Sequence, residues 1–460
     1  MTRERPLPSR RDLLRTAANG FALLPLTQLL GDHDRRLPHH TPRARHVIFL
    51  YMDGGPSSVD TFDYKPLLQR DDGKPFPMKM EPTQFNDNGA TQGSPWKFRQ
   101  YGEGGLWISD LFPHLAQHAD RLCVVRSVVA EFSEHTNANY FLHTGHGLQG
   151  RPSMGAWIGY GLGSDNRDLP AYVVLNGGLI PPGGIDCFHS GFLPAHAQGS
   201  VFRMHGDAVT NVARREPTAD QQARKLDLLR RLDRGTLERA GGDDGIAAAI
   251  ENHELAFRMQ AAVPELLDLS GESPALQQRY GMQADYEQTR TFGRQCLLAR
   301  RLIERGVRFV QLTCPSTGHD RWDQHSNLKG GLADNCRMVD QPIAALLGDL
   351  AARGLLDETI VLWGGEFGRT PFAQGRDGRD HNPFAFAMWL AGGGFRGGHA
   401  HGLTDDYGYK TVHDKVTVHD LHATILHQLG IDHTRFTYRF GGRDLRLTDV
   451  YGEVIKPLLT

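Results

Sequence analysis

The chain has 460 residues, of which 39% are apolar and 23% charged, enough to bury a large core. Its formal net charge of −2 excludes the basic field that nucleic acid or an anionic lipid surface requires of a partner. Five scattered cysteines, Cys123, Cys187, Cys296, Cys314 and Cys336, show no C-x-x-C spacing and argue against a disulfide framework or a zinc knot.

In chain order, the first feature is Ser9-Arg10-Arg11-Asp12-Leu13-Leu14, paired arginines just ahead of a mildly apolar stretch from Thr16 to Leu30. That stretch falls short of the roughly 20 residues that span a bilayer comfortably. The pattern resembles a twin-arginine signal and predicts export to the periplasm or envelope. No A-x-A cleavage site follows, so an uncleaved anchor and an ordinary basic tail remain as alternatives. Residues 31–44, rich in His, Arg, Asp and Pro, read as linker. The expected division is 1–44 for signal and linker and 45–460 for a single domain.

Short runs, mostly enriched in β-branched or aromatic residues, predict buried parallel strands at Val47–Met52, Leu122–Val125, Tyr172–Leu175, Phe309–Leu312, Thr359–Trp363 and Ala385–Leu390. Helical patterns run over Ala284–Glu304, closed by Gly306, and Leu332–Arg353, closed by Gly354, where glycine suits a left-handed cap. The alternation predicts an α/β fold, a doubly wound, mostly parallel sheet flanked by helices. Phe76 to Trp107 reads as a long loop over the sheet edge. The charged, helix-favouring stretch at about 218–274, broken by Gly241-Gly242, reads as a helical insertion, either a solvated hairpin or a lid.

Candidate chemistry collects beside these strands. Ligands of open α/β sheets bind outside the carboxyl ends of the strands, and Asp53 stands there, between the first strand and Gly54-Gly55-Pro56-Ser57-Ser58. Gly54 and Gly55 let the backbone approach a ligand. Ser57 and Ser58 suit capping of the helix that follows, with Ser57 supporting the ligands from behind. Capping the turn is the plainer role for Asp53. Gly318-His-Asp-Arg-Trp-Asp-Gln-His-Ser326 concentrates four metal-ligating types. Asp323 and His325, one residue apart, can share a divalent ion, with His319 and Asp320 in reserve. Glu366 follows the fifth strand, and Arg369 is placed to neutralise an anionic substrate, unless the two simply pair. Within Gly378-Arg-Asp-His-Asn-Pro383, read as a loop, His381 is a metal candidate and Asp380 the carboxylate that orients it. On the helix expected over Val416–Leu429, His422 and His427 fall off the buried stripe and read as structural, while His413 is left open.

Together, Met52-Asp-Gly-Gly-Pro-Ser57, the Asn137-Ala pair leading to His143-Thr-Gly145, Trp322-Asp-x-His-Ser-Asn327, Glu366-Phe-Gly-Arg-Thr-Pro371 and Gly378-Arg-Asp-His381 resemble one group. It is the sulfatase-like family of unknown function found as exported bacterial proteins, within the alkaline phosphatase superfamily. The resemblance runs from Val47 to the C-terminus. It implies an alkaline phosphatase/sulfatase-like fold and one or two divalent ions (Zn, Mn, Mg or Ca) supporting hydrolysis of a phosphate or sulfate ester, including esters on anionic glycans. In that scheme Asp323, His325 and His381 hold one ion and Asp53 and Glu366 lie near a second. Hydroxide or His135 attacks, and Arg369 balances charge.

Two departures matter. Sulfatases of the superfamily open a helix with Cys or Ser ten residues before the glycine of a Thr-Gly pair, where the helix N-terminus helps bind an anion. Counting back from Gly145 gives His135, either an attacking group or a further metal ligand. The family's Asp-His pair is replaced by Glu366-Phe367, which removes an imidazole from one of the two ion positions. The alternative is therefore a non-catalytic, metal-binding envelope protein that holds an anionic glycan or protein partner in the same cleft. An intracellular mutase of this fold is a third reading, opposed by the export signal.

Overall fold

The computed structural model describes residues 37–204, 208–209, 216–241, 244–319 and 321–460. The expected signal, the first part of the linker, the Gly242 of the expected helix break and the reserve ligand Asp320 lie outside the described residues.

The strands that position the site are β1 (His46–Tyr51), β2 (Asn88–Thr91), β3 (Leu122–Val129), β4 (Tyr172–Asn176), β5 (Ser200–Arg203) and β6 (Phe309–Thr313). They continue with β7 (Thr359–Gly364), β8 (Gly368–Gln374), β9 (Gly378–Asn382), β10 (Phe386–Ala391), β11 (His399–His401) and β12 (Val416–Thr417). A nine-stranded sheet runs β11-β3-β10-β7-β1-β6-β4-β5, with β12 also on β3. Its pairings are parallel except those of β10 with β3 and β7. The mixed, mostly parallel sheet is the α/β architecture the alternation predicts, but β10, expected among the parallel strands at Ala385–Leu390, is antiparallel to both its neighbours. The chain leaves β7, makes the β8–β9 hairpin and returns beside β7 with no crossover helix, so β10 must run the other way.

Both faces of the sheet are covered, which explains the unbroken apolar run of β1. Ile48 and Leu50 face a core shared with the helices Glu287–Glu304 and Leu328–Ala352, whereas Val47, Phe49 and Tyr51 face the opposite core. In chain order the longer α-helices are α1 (His135–Thr144), α2 (Met154–Leu162), α3 (Ala219–Arg239), α4 (Asp244–Leu267), α5 (Glu287–Glu304), α6 (Leu328–Ala352) and α7 (Val418–Gln428). Gly306 and Gly354, beyond α5 and α6, have φ of 82° and 70°, the left-handed region where a side chain is disfavoured. Met259, Val263 and Leu266 of α4 join the core beside α5, while α3 leaves Leu228 and Leu232 exposed.

The stretch expected as a long loop, Phe76 to Trp107, instead carries β2 and a hairpin of Phe98–Tyr101 with Leu106–Ser109. β2 pairs with β8, and β8 with β9, in a small antiparallel sheet. No described helix is long and apolar enough to cross a membrane. All five cysteines are buried and unpaired.

Candidate metal centre

Four side chains from separate parts of the chain meet beyond the end of β1. His135 is the first residue of α1, Asp323 and His325 lie on the loop between β6 and α6, and His381 sits on β9. One ligand atom from each lies within 4.8 Å of the others. The Asp323 carboxylate is the hub. Its Oδ1 is 2.9 Å from His325 Nε2 and 3.2 Å from His381 Nε2, and its Oδ2 is 3.0 Å from His135 Nε2. His381 therefore acts from a strand, not from the loop its sequence suggested.

The far sides of the rings decide what this arrangement can hold. His381 Nδ1 lies 2.6 Å from the Ser133 carbonyl, His135 Nδ1 lies 2.6 Å from Glu366 Oε1, and His325 Nδ1 contacts Gln374 Oε1. Each of these partners accepts, so each neutral imidazole carries its proton on Nδ1 and turns the Nε2 lone pair inward. Three lone pairs and a carboxylate then face one another, which is favourable only with a cation or protons between them. His135 Nε2 is buried and makes no hydrogen bond despite its closeness to Asp323. Histidines that hold a metal are oriented in this way by acceptors on the other ring nitrogen, so the donor set fits a divalent ion.

The electrostatics agree. Burial disfavours a cationic His135, but the Asp323 and Glu366 carboxylates outweigh it and raise its pKa to about 9. Burial and the nearby Arg369 charge lower His381 to about 4. Burial opposes ionisation of Asp323, yet Arg369 and the imidazoles hold it far below the carboxylate range. Glu366, also buried, is held below its ordinary value chiefly by His135.

The remaining candidates have other partners. Arg369 does not face a substrate. Its Nε donates to the Gly55 carbonyl, Nη1 to that of Arg379, and Nη2 to that of Gly54 and to Asp323. Nor does it pair with Glu366, whose oxygens accept from Gly54 N–H at 3.0 and 3.2 Å. Asp53 neither joins the four-residue cluster nor caps its turn through its side chain. Its Oδ2 pairs with Nη1 of Arg321, and Oδ1 lies 3.4 Å from the Tyr51 hydroxyl. Ser57 occupies the N-cap position of the turn Ser58–Thr61 without capping it, because its hydroxyl donates to Asp60 at 2.5 Å. Ser58 accepts from Ala387 N–H. Asp380, expected to orient the His381 ring, accepts from the backbone N–H of His381 at 2.7 Å instead, and Ser133 holds the ring. His319 pairs with Asp334 outside the cluster, and His422 Nε2 donates to the Leu142 carbonyl inside the core. His413 is exposed.

The N-terminus of α1 is closed. Glu134, the N-cap, accepts from the backbone N–H groups of Thr136 and Asn137 at 3.0 and 3.1 Å. A carboxylate thus stands where the resemblance implies an ester anion. Phe367 fills the place of the missing imidazole, its ring 4.4 Å from that of His381 and 4.8 Å from that of His135. Close backbone contact holds the parts together. A Cβ on Gly54, at φ 117°, would meet the backbone nitrogens of Trp322 and Asp323 at 2.8 Å, and Trp322 N–H donates to the Asp53 carbonyl. Sequence reasoning missed Arg321, Gln374 and the Ser133 carbonyl. Of these only Arg321 carried a signal, as the lone cation inside the His/Asp loop.

A family model described as Protein of unknown function (DUF1501) matches residues 44–459, in line with the motif resemblance. No curated protein matches the chain. Among solved structures, the PsFucS1 sulfatase from Pseudoalteromonas sp. is similar at 13% identity and a TM-score of 0.36, covering 95% of this chain and 78% of that one. The phosphonate monoester hydrolase SpPMH from Silicibacter pomeroyi is similar at 11% identity and a TM-score of 0.36, covering 76% and 72%. Alkaline phosphatase from the Antarctic bacterium TAB5 is similar at 10% identity and a TM-score of 0.33, covering 77% and 92%.

Proposed function

We propose that this chain, which belongs to the DUF1501 family of unknown function, is a metal-dependent hydrolase of phosphate or sulfate esters. The observation that carries this reading is the set of three inward-turned imidazole lone pairs around the Asp323 carboxylate. His135, Asp323, His325 and His381 would hold one ion. A donor set of three nitrogens and one oxygen favours zinc or another transition ion over magnesium or calcium. Bound there, the ion supplies Lewis-acid polarisation of an ester oxygen. His135 serves as a ligand in this reading and not as the attacking group, because Glu366 holds its Nδ1 and its Nε2 is turned toward Asp323 among the other ligand atoms. Glu366 fixes the His135 tautomer, Arg369 offsets the hub charge, and Phe367 keeps water from the back of two rings. The ester class is supported by the motif resemblance, as is action on an anionic glycan. The paired arginines near the N-terminus support a periplasmic or envelope setting.

One observation favours the non-catalytic reading, in which the same centre binds an anionic glycan or protein partner. Glu134 already occupies the α1 N-terminus, so that helix end offers no docking point for an ester anion. Turnover separates the two. The purified chain, reconstituted with Zn, Mn or Ca, is expected to cleave an aryl phosphate or aryl sulfate, and His325→Ala to lose that activity. Binding of a sulfated polysaccharide without turnover of any ester would establish the alternative.

A further inference from the structure

Three buried carboxylates line the site, and each has its own nitrogen partner. Glu366 takes His135, Asp323 takes Arg369, and Asp53 takes Arg321. The third pair lies outside the ligand cluster and no role follows for it from the proposed hydrolysis. Asp53 is wholly shielded from solvent, and a buried carboxylate persists only with a compensating charge. Tyr51 stands between it and Glu366 and brings the two carboxylates together, its hydroxyl lying 3.4 Å from Asp53 Oδ1 and 3.5 Å from Glu366 Oε2 while donating to its nearest acceptor, Asn139 Oδ1. Two carboxylates joined in this way would ordinarily call for a bound cation.

We infer that the guanidinium of Arg321 is that cation, a built-in substitute for a second metal ion, so that the centre holds a single ion per chain. The delivery of Arg321 is elaborate. Its φ is 51°, a conformation that glycine or asparagine adopts more readily, so the side chain is kept against backbone cost. Its carbonyl is fastened by Gln324 Nε2 at 2.7 Å and by the Asn335 amide. Nη2 donates to the Ile180 carbonyl at 2.9 Å, which aims Nη1 at Asp53. The next residue, Trp322, donates its N–H to the Asp53 carbonyl, locking the loop to the end of β1. Phe367 contributes to the same outcome, since it offers no donor atom for a second ion. The side chain of Arg321 is 24% exposed, whereas Arg369 is 1% exposed, so Arg321 is also the guanidinium that an incoming anion can reach.

This inference rests on the metal centre proposed above, and counting ions distinguishes the failure of each. Elemental analysis of the full chain, equilibrated with excess zinc and freed of loose metal, is expected to give one ion per chain. Arg321→Gly, which suits the local φ, is expected to give two, the second held more weakly. Arg321→Lys, which keeps a cation, and Asp53→Asn, which removes the second site's anchor, are both expected to stay at one. Two ions in the unaltered protein overturn the inference, as does a folded Arg321→Gly variant that still holds one. If that variant does not fold, the unaltered protein and Asp53→Asn decide: one ion in each supports the inference, and a count that falls from two to one overturns it. No ion at all in the unaltered protein overturns the metal centre itself and the inference with it.

Discussion

His135 Nδ1 and Glu366 Oε1 stand 2.6 Å apart, with the carboxylate entirely sealed from solvent. A carboxylate in that position fixes the ring's tautomer and makes Nε2 a better donor to a cation. Removing its charge should therefore weaken metal binding without disturbing a ligand. Glu366→Gln is expected to lower zinc affinity by about 10–100-fold, read by competition with a chromophoric chelator. An unchanged affinity in a folded variant would refute the assignment.

Metal should also stabilise the fold, because the four ligands come from α1, the β6–α6 loop and β9 and meet only in the native state. At free zinc of about 100 times the dissociation constant, linkage gives roughly 2.7 kcal/mol. The thermal midpoint should rise on zinc addition and fall with EDTA. His325→Ala combined with His381→Ala should abolish that response, and a double variant that still responds would place the ion elsewhere.

Gly378 lies where β9 meets the ligand loop, and a Cβ added there falls on the His325 carbonyl. Backbone must move, so Gly378→Ala should destabilise by about 1–3 kcal/mol and weaken metal binding although alanine touches no ligand. Chemical denaturation and the same chelator assay check both effects. Loss of stability with intact metal affinity would mean that the loop and β9 shift as one body.

The pair Arg379 and Asp60 is fully buried, with Nε to Oδ2 at 2.7 Å and Nη2 to Oδ1 at 3.2 Å. Ser57 donates to the same carboxylate. Arg379→Met leaves an uncompensated buried charge and is expected to cost about 3–5 kcal/mol, measured by urea unfolding. A cost under about 1 kcal/mol, the scale of an exposed pair, would show the pair is solvated.

Two imidazoles inside the core predict acid sensitivity. Burial lowers His143 to about 4, and burial, then His419, lowers His422 to about 3. The unfolded chain titrates these residues near 6.5, so below that pH it binds more protons than the native state. Their stabilisation is complete above pH 6.5 and is lost as pH falls toward the folded values, by about 1.4 kcal/mol per histidine per pH unit. Urea unfolding at pH 7 and pH 5 tests this. His422→Gln should flatten the slope by one proton, and an unaltered slope would contradict the buried neutral form.

Much of this was legible beforehand, for physical reasons. Val47 to Met52 announced β1 because a strand buried on both faces has no polar side to interrupt it, and Asp53 marked where it ends. His325 and His381 were readable because ligating residue types cluster near strand ends. Partners supplied by backbone were not readable. The Ser133 carbonyl that holds His381 has no sequence signature, and neither has the positive φ that delivers Arg321. Arg369 looked free to meet an anion because nothing local showed that three backbone carbonyls and Asp323 would absorb its donors. β2 was hidden because Asn88-Gly-Ala-Thr91 has little strand preference of its own and forms only against β8.

The sealed thiols carry a consequence for handling. With Cys123, Cys187, Cys296, Cys314 and Cys336 all reduced and enclosed, the native state draws no covalent reinforcement from oxidants and has no half-cystine waiting for a mate. It can mature fully where glutathione prevails and then persist in air without cross-linking. A thiol-alkylating dye would colour this molecule only when it comes apart.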